Sequence, residues 1–283
     1  MPKQKTAEEK TFEECEKISN LFRSMEKSFA DFAGVRRPGA LDQAQDLIYD
    51  AWEQPSSQER IRLAKKALKL SKDCADAYCI LADEQAKTLE ETHEYLKQGV
   101  EAGERAIGKK GFIKFKGHFW GFIETRPYMR ARFDLARCLW ALDRREEALD
   151  RFYALLKLNP GDNQGVRYNL LNFLFILNDL NGVKKLLNQY RGDCSAEWAY
   201  SQLLYTFVTD SKKDEELDKC YEKALKINKY VVDYILGKKR ISTRLPSSYT
   251  MGSNEEAVSY AVEGKAVWLK YPQAIKWLQS KVI

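Results

Sequence analysis

A chain of 283 residues with 44% hydrophobic and 12% aromatic side chains carries enough apolar material for a sizeable core, which excludes wholesale disorder. Its formal net charge of +6 is concentrated between Arg105 and Arg151, where twelve basic residues meet six acidic ones and the rest of the chain is balanced. The best candidate for a membrane span, Tyr168 to Leu177, is too short and is interrupted by Asn169 and Asn172, so no span is expected.

The opening MPKQKTAEEK alternates charges and has no apolar segment, so no secretory signal is expected and the chain reads as cytoplasmic. Cys15, Cys74, Cys79, Cys138, Cys194 and Cys220 are scattered without a Cys-x-x-Cys pair, which reads as free buried thiols in a reducing compartment. From Ala7 to Ala33 the residues Phe12, Cys15, Ile18, Phe22, Met25, Phe29 and Phe32 recur every three or four positions, the stripe of an amphipathic helix. Gly34 stops it and Arg36-Arg37-Pro38-Gly39 is a linker. This helix is expected to cap the array, or alternatively to assemble copies of the chain through residues 7–33.

Paired helical patterns follow. Leu41 to Glu53 and Gln58 to Leu70 make one hairpin, with Ser57 as a cap of the second helix. Ala75 to Lys87 and Glu91 to Ile107 make another, in which Gly99, Gly103 and Ala106 share a face that permits close helix approach. The glycine- and aromatic-rich stretch from Lys109 to Thr125 lacks clear periodicity; its five large aromatics are expected to be tucked against the scaffold, because leaving them in water is costly. Pro127 starts a helix with two apolar stripes, Met129, Phe133, Ala136 and Trp140 on one and Tyr128, Leu135, Leu139 and Leu142 on the other, so it should be sandwiched. Asp143 turns the chain into a return helix, Glu146 to Leu158, which ends at Asn159-Pro160-Gly161-Asp162.

Here the spacing resembles the tetratricopeptide repeat. Leu135, Ala136 and Leu139, then Ala148 and Phe152, then Pro160 fall in its register, with Arg132 standing where the pattern has Trp. The next unit repeats the frame with Arg167, Leu170, Leu171 and Leu174, then Val183 and Leu187. A third copy spans Ala196 to Phe207 and Asp214 to Ile227. After a short helix, Val231 to Leu236, stopped by Gly237, the array closes with Asn254 to Leu269, capped by Ser253, and Gln273 to Lys281, started at Pro272. Val258, Val262, Trp268, Ile275, Trp277 and Leu278 lie on their buried side.

The longer phrases HFWGFIETRPYMRARFDLARCLW, LNPGDNQGVRY, Glu197-Trp198-Ala199-Tyr200 and GSNEEAVSYAVEGKAVW resemble the bacterial relatives of the suppression of tumorigenicity seven family, from about Leu41 to Leu278. That resemblance implies a tetratricopeptide-like helical protein with no assigned activity.

The expected fold is therefore all-α: a right-handed α-solenoid of about five helix pairs with helical caps. Residues 1–38 are the N-terminal helix and linker, 39–229 the repeats and 230–283 the C-terminal cap. The usual groove positions of tetratricopeptide repeats fall on Arg130, Phe133 and Arg137 and, in the next repeat, on Gly165, Tyr168 and Asn172, with Asn169 beside them. Arg130 and Arg137 share a helix face and resemble part of a clamp for a carboxylate, so the expected ligand is a protein or peptide, with an acidic segment as a specific form. The competing reading pairs both arginines with Asp134 on a solvated surface. Glu124, Arg126 and Arg167 form a second candidate polar cluster. No cofactor or metal is expected, and the chain reads as a scaffold or adaptor, not an enzyme. A Cys-His nucleophile pair joining His118 to Cys138 or Cys79 is the catalytic alternative. Nucleic-acid association through Lys114-Phe115-Lys116 is the third, disfavoured because acidic residues interrupt the arginines.

Overall fold

The computed structural model describes residues 39–210, 214–242, 245–246 and 248–282. Among these it is all-α, with helices, two short 3-10 turns and no strand. The expected helix from Ala7 to Ala33 lies outside the described residues. The chain divides into two compact units at Arg167, within the span read as one array.

The unit before Arg167 holds α1 (Ala40–Glu53), α2 (Ser57–Leu70), α3 (Ala75–Glu84), α4 (Leu89–Lys114), α5 (Arg126–Ala141) and α6 (Arg145–Leu158). Each helix packs on the next, and α3 also touches both α1 and α5. Helical spacing brings Ala44, Ile48 and Ala51 to one face of α1, where they are buried with Leu63, Ala64 and Ala67 of α2 and with Ala77, Ile80 and Leu81 of α3. Small residues at these contacts let the helices approach closely. Ser57 is the first residue of α2 and not its cap; Ser56 occupies the cap position without a side-chain bond. The start of α4 is held more tightly: Thr88 Oγ1 accepts from the Glu91 N–H at 3.2 Å, and the Glu91 carboxylate accepts from the Lys87 N–H at 2.7 Å.

The region from Lys109 onward is more helical than its composition implies. Gly108 adopts a φ of +62°, which breaks α4, yet the helix resumes and runs to Lys114. Turns at Phe119–Gly121 and Ile123–Thr125 follow. The expected tucking holds in part: Phe115 and Phe119 are buried, Phe112 packs on Phe119 and edge-on to Tyr128, both at 5.3 Å, but Phe122, which meets Phe115 at 4.6 Å, stays exposed. The Thr125 hydroxyl donates to the carbonyls of Phe119 and Phe122, which ties the turns to the start of α5. Close helix approach occurs where glycines were noted, with an added Cβ at Gly103 falling 2.8 Å from the Tyr128 Cβ. Ala106 instead points to solvent.

Helix α5 is sandwiched. Tyr128, Met129, Leu135, Ala136 and Leu139 are buried on its two apolar stripes, and Arg130, Asp134 and Arg137 are buried with them. Arg132, at the position of the repeat's Trp, lies over the Tyr128 ring and donates to its hydroxyl at 2.6 Å.

The unit from Arg167 onward holds α7 (Val166–Ile176), α8 (Leu180–Gln189), α9 (Ala196–Asp210), α10 (Asp214–Ile227), α11 (Val231–Ile235), α12 (Asn254–Leu269) and α13 (Pro272–Ser280). Helix α9 touches α8, α10, α12 and α13. Buried Glu256 gathers several element ends: it accepts from the N–H of Ala196 at 3.0 Å, the N–H of Gly252 at 2.7 Å and the Asn228 amide at 2.9 Å. The Ser253 hydroxyl caps α12 by accepting from the Glu256 N–H, and Pro272 opens α13. Val258, Trp268 and Leu278 are buried as expected, whereas Val262, Ile275 and Trp277 are half-buried.

Cys74, Cys79 and Cys138 are buried free thiols. Cys194 departs from the expectation: it is exposed on the turn before α9, and Cys220 is half-buried.

Candidate functional site

The groove position best defined by the structure is Arg130. Its guanidinium forms a two-pronged contact with Asp76 at the start of α3, Nε to Oδ1 at 2.9 Å and Nη2 to Oδ2 at 2.5 Å. Both side chains are sealed, at 6% and 0% exposure. Gln45 of α1 donates to the same carboxylate at 2.9 Å, and the Trp52 ring lies 5.2 Å from the guanidinium. Three first helices of consecutive hairpins, α1, α3 and α5, are thus joined through one buried carboxylate. The fork of Arg130 is matched by a carboxylate of its own chain, 54 positions away. Asp76 is therefore a carboxylate partner of Arg130 that the sequence reading did not name.

Phe133 is half-buried and meets Phe152 edge-on at 5.7 Å, and the Arg137 guanidinium lies 5.9 Å from the Phe133 ring. These two positions remain beside each other on α5.

The groove positions of α7 belong to the other unit. Tyr168 is half-buried, and its hydroxyl donates to Asp193 at 3.0 Å and accepts from Arg167 at 2.7 Å. Burial pushes the Tyr168 phenol well above its usual range. The Arg167 guanidinium sits within 4.3 Å of the Tyr168 ring centre, 5.3 Å of Tyr190 and 5.9 Å of Trp198, an aromatic box closed by an ion pair to Asp193 at 2.8 Å. Burial opposes ionisation of Asp193, but the hydroxyl and N–H of Ser195 and the Arg167 charge outweigh it and hold the carboxyl below its ordinary value.

Asn169 donates to Glu263 of α12 at 2.6 Å. Asn172 is 4% exposed and its Nδ2 has no hydrogen-bond partner; the Oε1 of Glu197 is likewise sealed without one. Burial first, and the neighbouring Glu263 second, drive the Glu197 carboxyl well above its ordinary value. Tyr260, also pushed upward by burial and by Glu197, accepts from the Trp268 indole at 2.8 Å. The arrangement is a cluster of sealed polar side chains in which burial disfavours the charged form of the Glu197 carboxyl.

Glu124 lies in the turn before α5 and Arg126 is the first residue of α5, in one unit, and Arg167 begins the other. Arg126 donates to the Trp120 carbonyl at 3.0 Å and lies over its ring. Of the Cys-His alternative, Cys138 faces the Leu89 carbonyl at 3.5 Å, and burial raises its thiol to about 12, unsuited to nucleophilic work at neutral pH. His118 is exposed in the turn after α4. Among the described residues no group of three His, Cys, Asp or Glu side chains could hold a metal ion.

Sequence reasoning missed Asp76, Asp193, Glu197 and Glu263 as the partners of its predicted residues. Glu197 and Glu263 stand inside the phrases EWAY and GSNEEAVSYAVEGKAVW, the available signal. Asp76 has no local mark beyond its place in the first turn of α3, where carboxylates are favoured in any helix.

A family model described as ST7 protein matches residues 37–281. Among curated relatives, a suppressor of tumorigenicity 7 protein-like protein of Gallus gallus is 30% identical over 157 residues, covering 53% of this chain and 28% of the relative. The protein of the same name in Homo sapiens is 26% identical over 257 residues, covering 82% of this chain and 44% of its own length. A Protein ST7 homolog of Drosophila melanogaster is 24% identical over 258 residues, covering 82% and 47%. The chain spans less than half the length of each of these relatives.

Proposed function

The chain belongs to the ST7 protein family, and from that premise we propose that it is a non-catalytic scaffold whose tetratricopeptide-like hairpins form a right-handed solenoid and hold a partner protein along their first helices. The observation that carries this reading is the joining of α1, α3 and α5 by Gln45, Asp76 and Arg130. A platform that binds without rearranging needs such internal ties, because order present before binding is not lost on binding. The burial of Leu135, Ala136, Leu139, Ala148 and Phe152 supports the repeat assignment, since these are the packing positions of that pattern.

An acidic partner segment along the first helices is the specific form of this reading, with Arg137 and the neighbouring Phe133 as the positions to probe. Titration of the full chain with peptides ending in acidic residues tests this. Micromolar binding that weakens about tenfold in Arg137→Gln, with Phe133→Ser as a second variant, is the expected result. Absence of binding, or binding that both variants retain, refutes the acidic-segment reading.

A further inference from the structure

We propose that the corner formed by the end of α4 and the turns before α5 docks on an anionic lipid surface. From Arg105 to Ile123 the sequence carries Arg105, Lys109, Lys110, Lys114 and Lys116 and no acidic residue. The structure places this run at the end of α4 and in the turns that follow it. After the break at Gly108, Phe112 faces inward onto Phe119 and Tyr128, which leaves Ile113 outward at 79% exposure, the largest of any bulky apolar side chain described. Lys109 and Lys110 lie one helical turn before Ile113, and Lys114 follows it; all are exposed, as is Lys116. Phe122, packed on Phe115, shows 37% of its surface, so the corner offers two apolar side chains in a segment whose lysines are exposed.

The composition of the exposed surface identifies the occupant. A single-stranded nucleic acid needs exposed aromatic faces for stacking, and here Phe115 and Phe119 are buried at 6% and 0% exposure. What remains outside is chiefly the aliphatic Ile113, at 79% exposure, with a smaller part of Phe122, at 37%, among exposed lysines. That combination suits a headgroup layer, where the apolar tip enters the acyl boundary and the lysines meet lipid phosphates and carboxylates. No helix among the described residues is long and apolar enough to cross a membrane, so the contact is with its surface.

Cosedimentation of the full chain with vesicles tests the proposal. Vesicles of phosphatidylcholine with about one-third phosphatidylserine should retain the protein at low salt, and pure phosphatidylcholine should not. Ile113→Ser should weaken retention about tenfold, and Lys114→Gln with Lys116→Gln about twenty-five-fold, each lysine contributing about fivefold. Failure to bind either vesicle overturns the proposal, as does binding that both variants retain, which assigns it to another surface. A low-salt oligonucleotide shift abolished by the same variants, without vesicle binding, overturns it in favour of nucleic acid. Both variants alter exposed side chains, and an unchanged circular dichroism spectrum separates loss of binding from loss of fold.

Discussion

At the residue scale, burial sets Glu197 against ionisation, and this has a measurable consequence. Its folded-state pKa is raised, so in the window between its ordinary value and the raised one the native chain holds a proton that the unfolded chain has released. Its contribution is favourable at the acidic end of that window and is lost as the pH rises through the folded pKa. Glu197→Gln keeps the shape and removes the charge. Its melting temperature should exceed that of the wild type by about 2–4 °C at pH 8, corresponding to about 1 kcal/mol, and the difference should shrink toward pH 5. A variant equal to wild type at both pH values refutes the neutral-carboxyl assignment. Residue chemistry of this sort was only partly legible in the sequence. The motif register picked out Arg130, Tyr168, Asn169 and Asn172, but partners such as Asp76 of Arg130, 54 positions away, are tertiary and leave no mark in local spacing.

At the scale of elements, the sequence was much more informative, because helix boundaries are set by local chemistry. Ser253, Pro127 and Pro272 marked helix starts, and those of α12, α5 and α13 follow them. The miss was the end of α4. Gly108 reads as a stop, and its positive φ does break the helix, but Phe112 and Phe115 have burial to gain by extending one more turn beyond it. Gly99 and Gly103 were legible for a different reason, since a glycine inside a helix needs a packing partner to offset its cost. Gly103→Ala places a Cβ 2.8 Å from the Cβ and 2.9 Å from the Cδ2 of Tyr128. Overpacking of about 1–3 kcal/mol should exceed the helix-propensity gain of about 1 kcal/mol. Urea denaturation should therefore show a net loss for Gly103→Ala, while Gly192→Ala, where nothing lies within 4 Å, should be nearly neutral. Equal midpoints for the two variants count against tight packing of α4 on α5.

For the whole molecule, the division at Arg167 is the feature that periodicity could not reveal, because the repeat frame runs through it without interruption. Asp76→Ala leaves the Arg130 charge buried without that carboxylate, a defect costing about 3–5 kcal/mol. Amide exchange should accelerate by about a hundredfold or more in α3 and α5, while α9 and α12 keep their rates. Uniform acceleration through all four helices would mean that the two units unfold as one. The charge distribution was legible at this scale from composition alone, but its use was not. Only the burial of Phe115 and Phe119, with Ile113 left outside, separates a lipid-facing corner from a surface for nucleic acid.

The tie between Asp76 and Arg130 also bears on how the chain is born. Asp76 leaves the ribosome 54 residues ahead of its partner, a delay of roughly 3–11 s at about 5–20 residues per second. Until α5 emerges, the nascent α1–α3 assembly can offer that carboxylate only Gln45, so sealing it early is unfavourable and water keeps access to it. Arrival of Arg130 removes the penalty and lets the third hairpin close over the first two. Vectorial synthesis thus delivers the two halves of this tie in a fixed order, the carboxylate first and its arginine last.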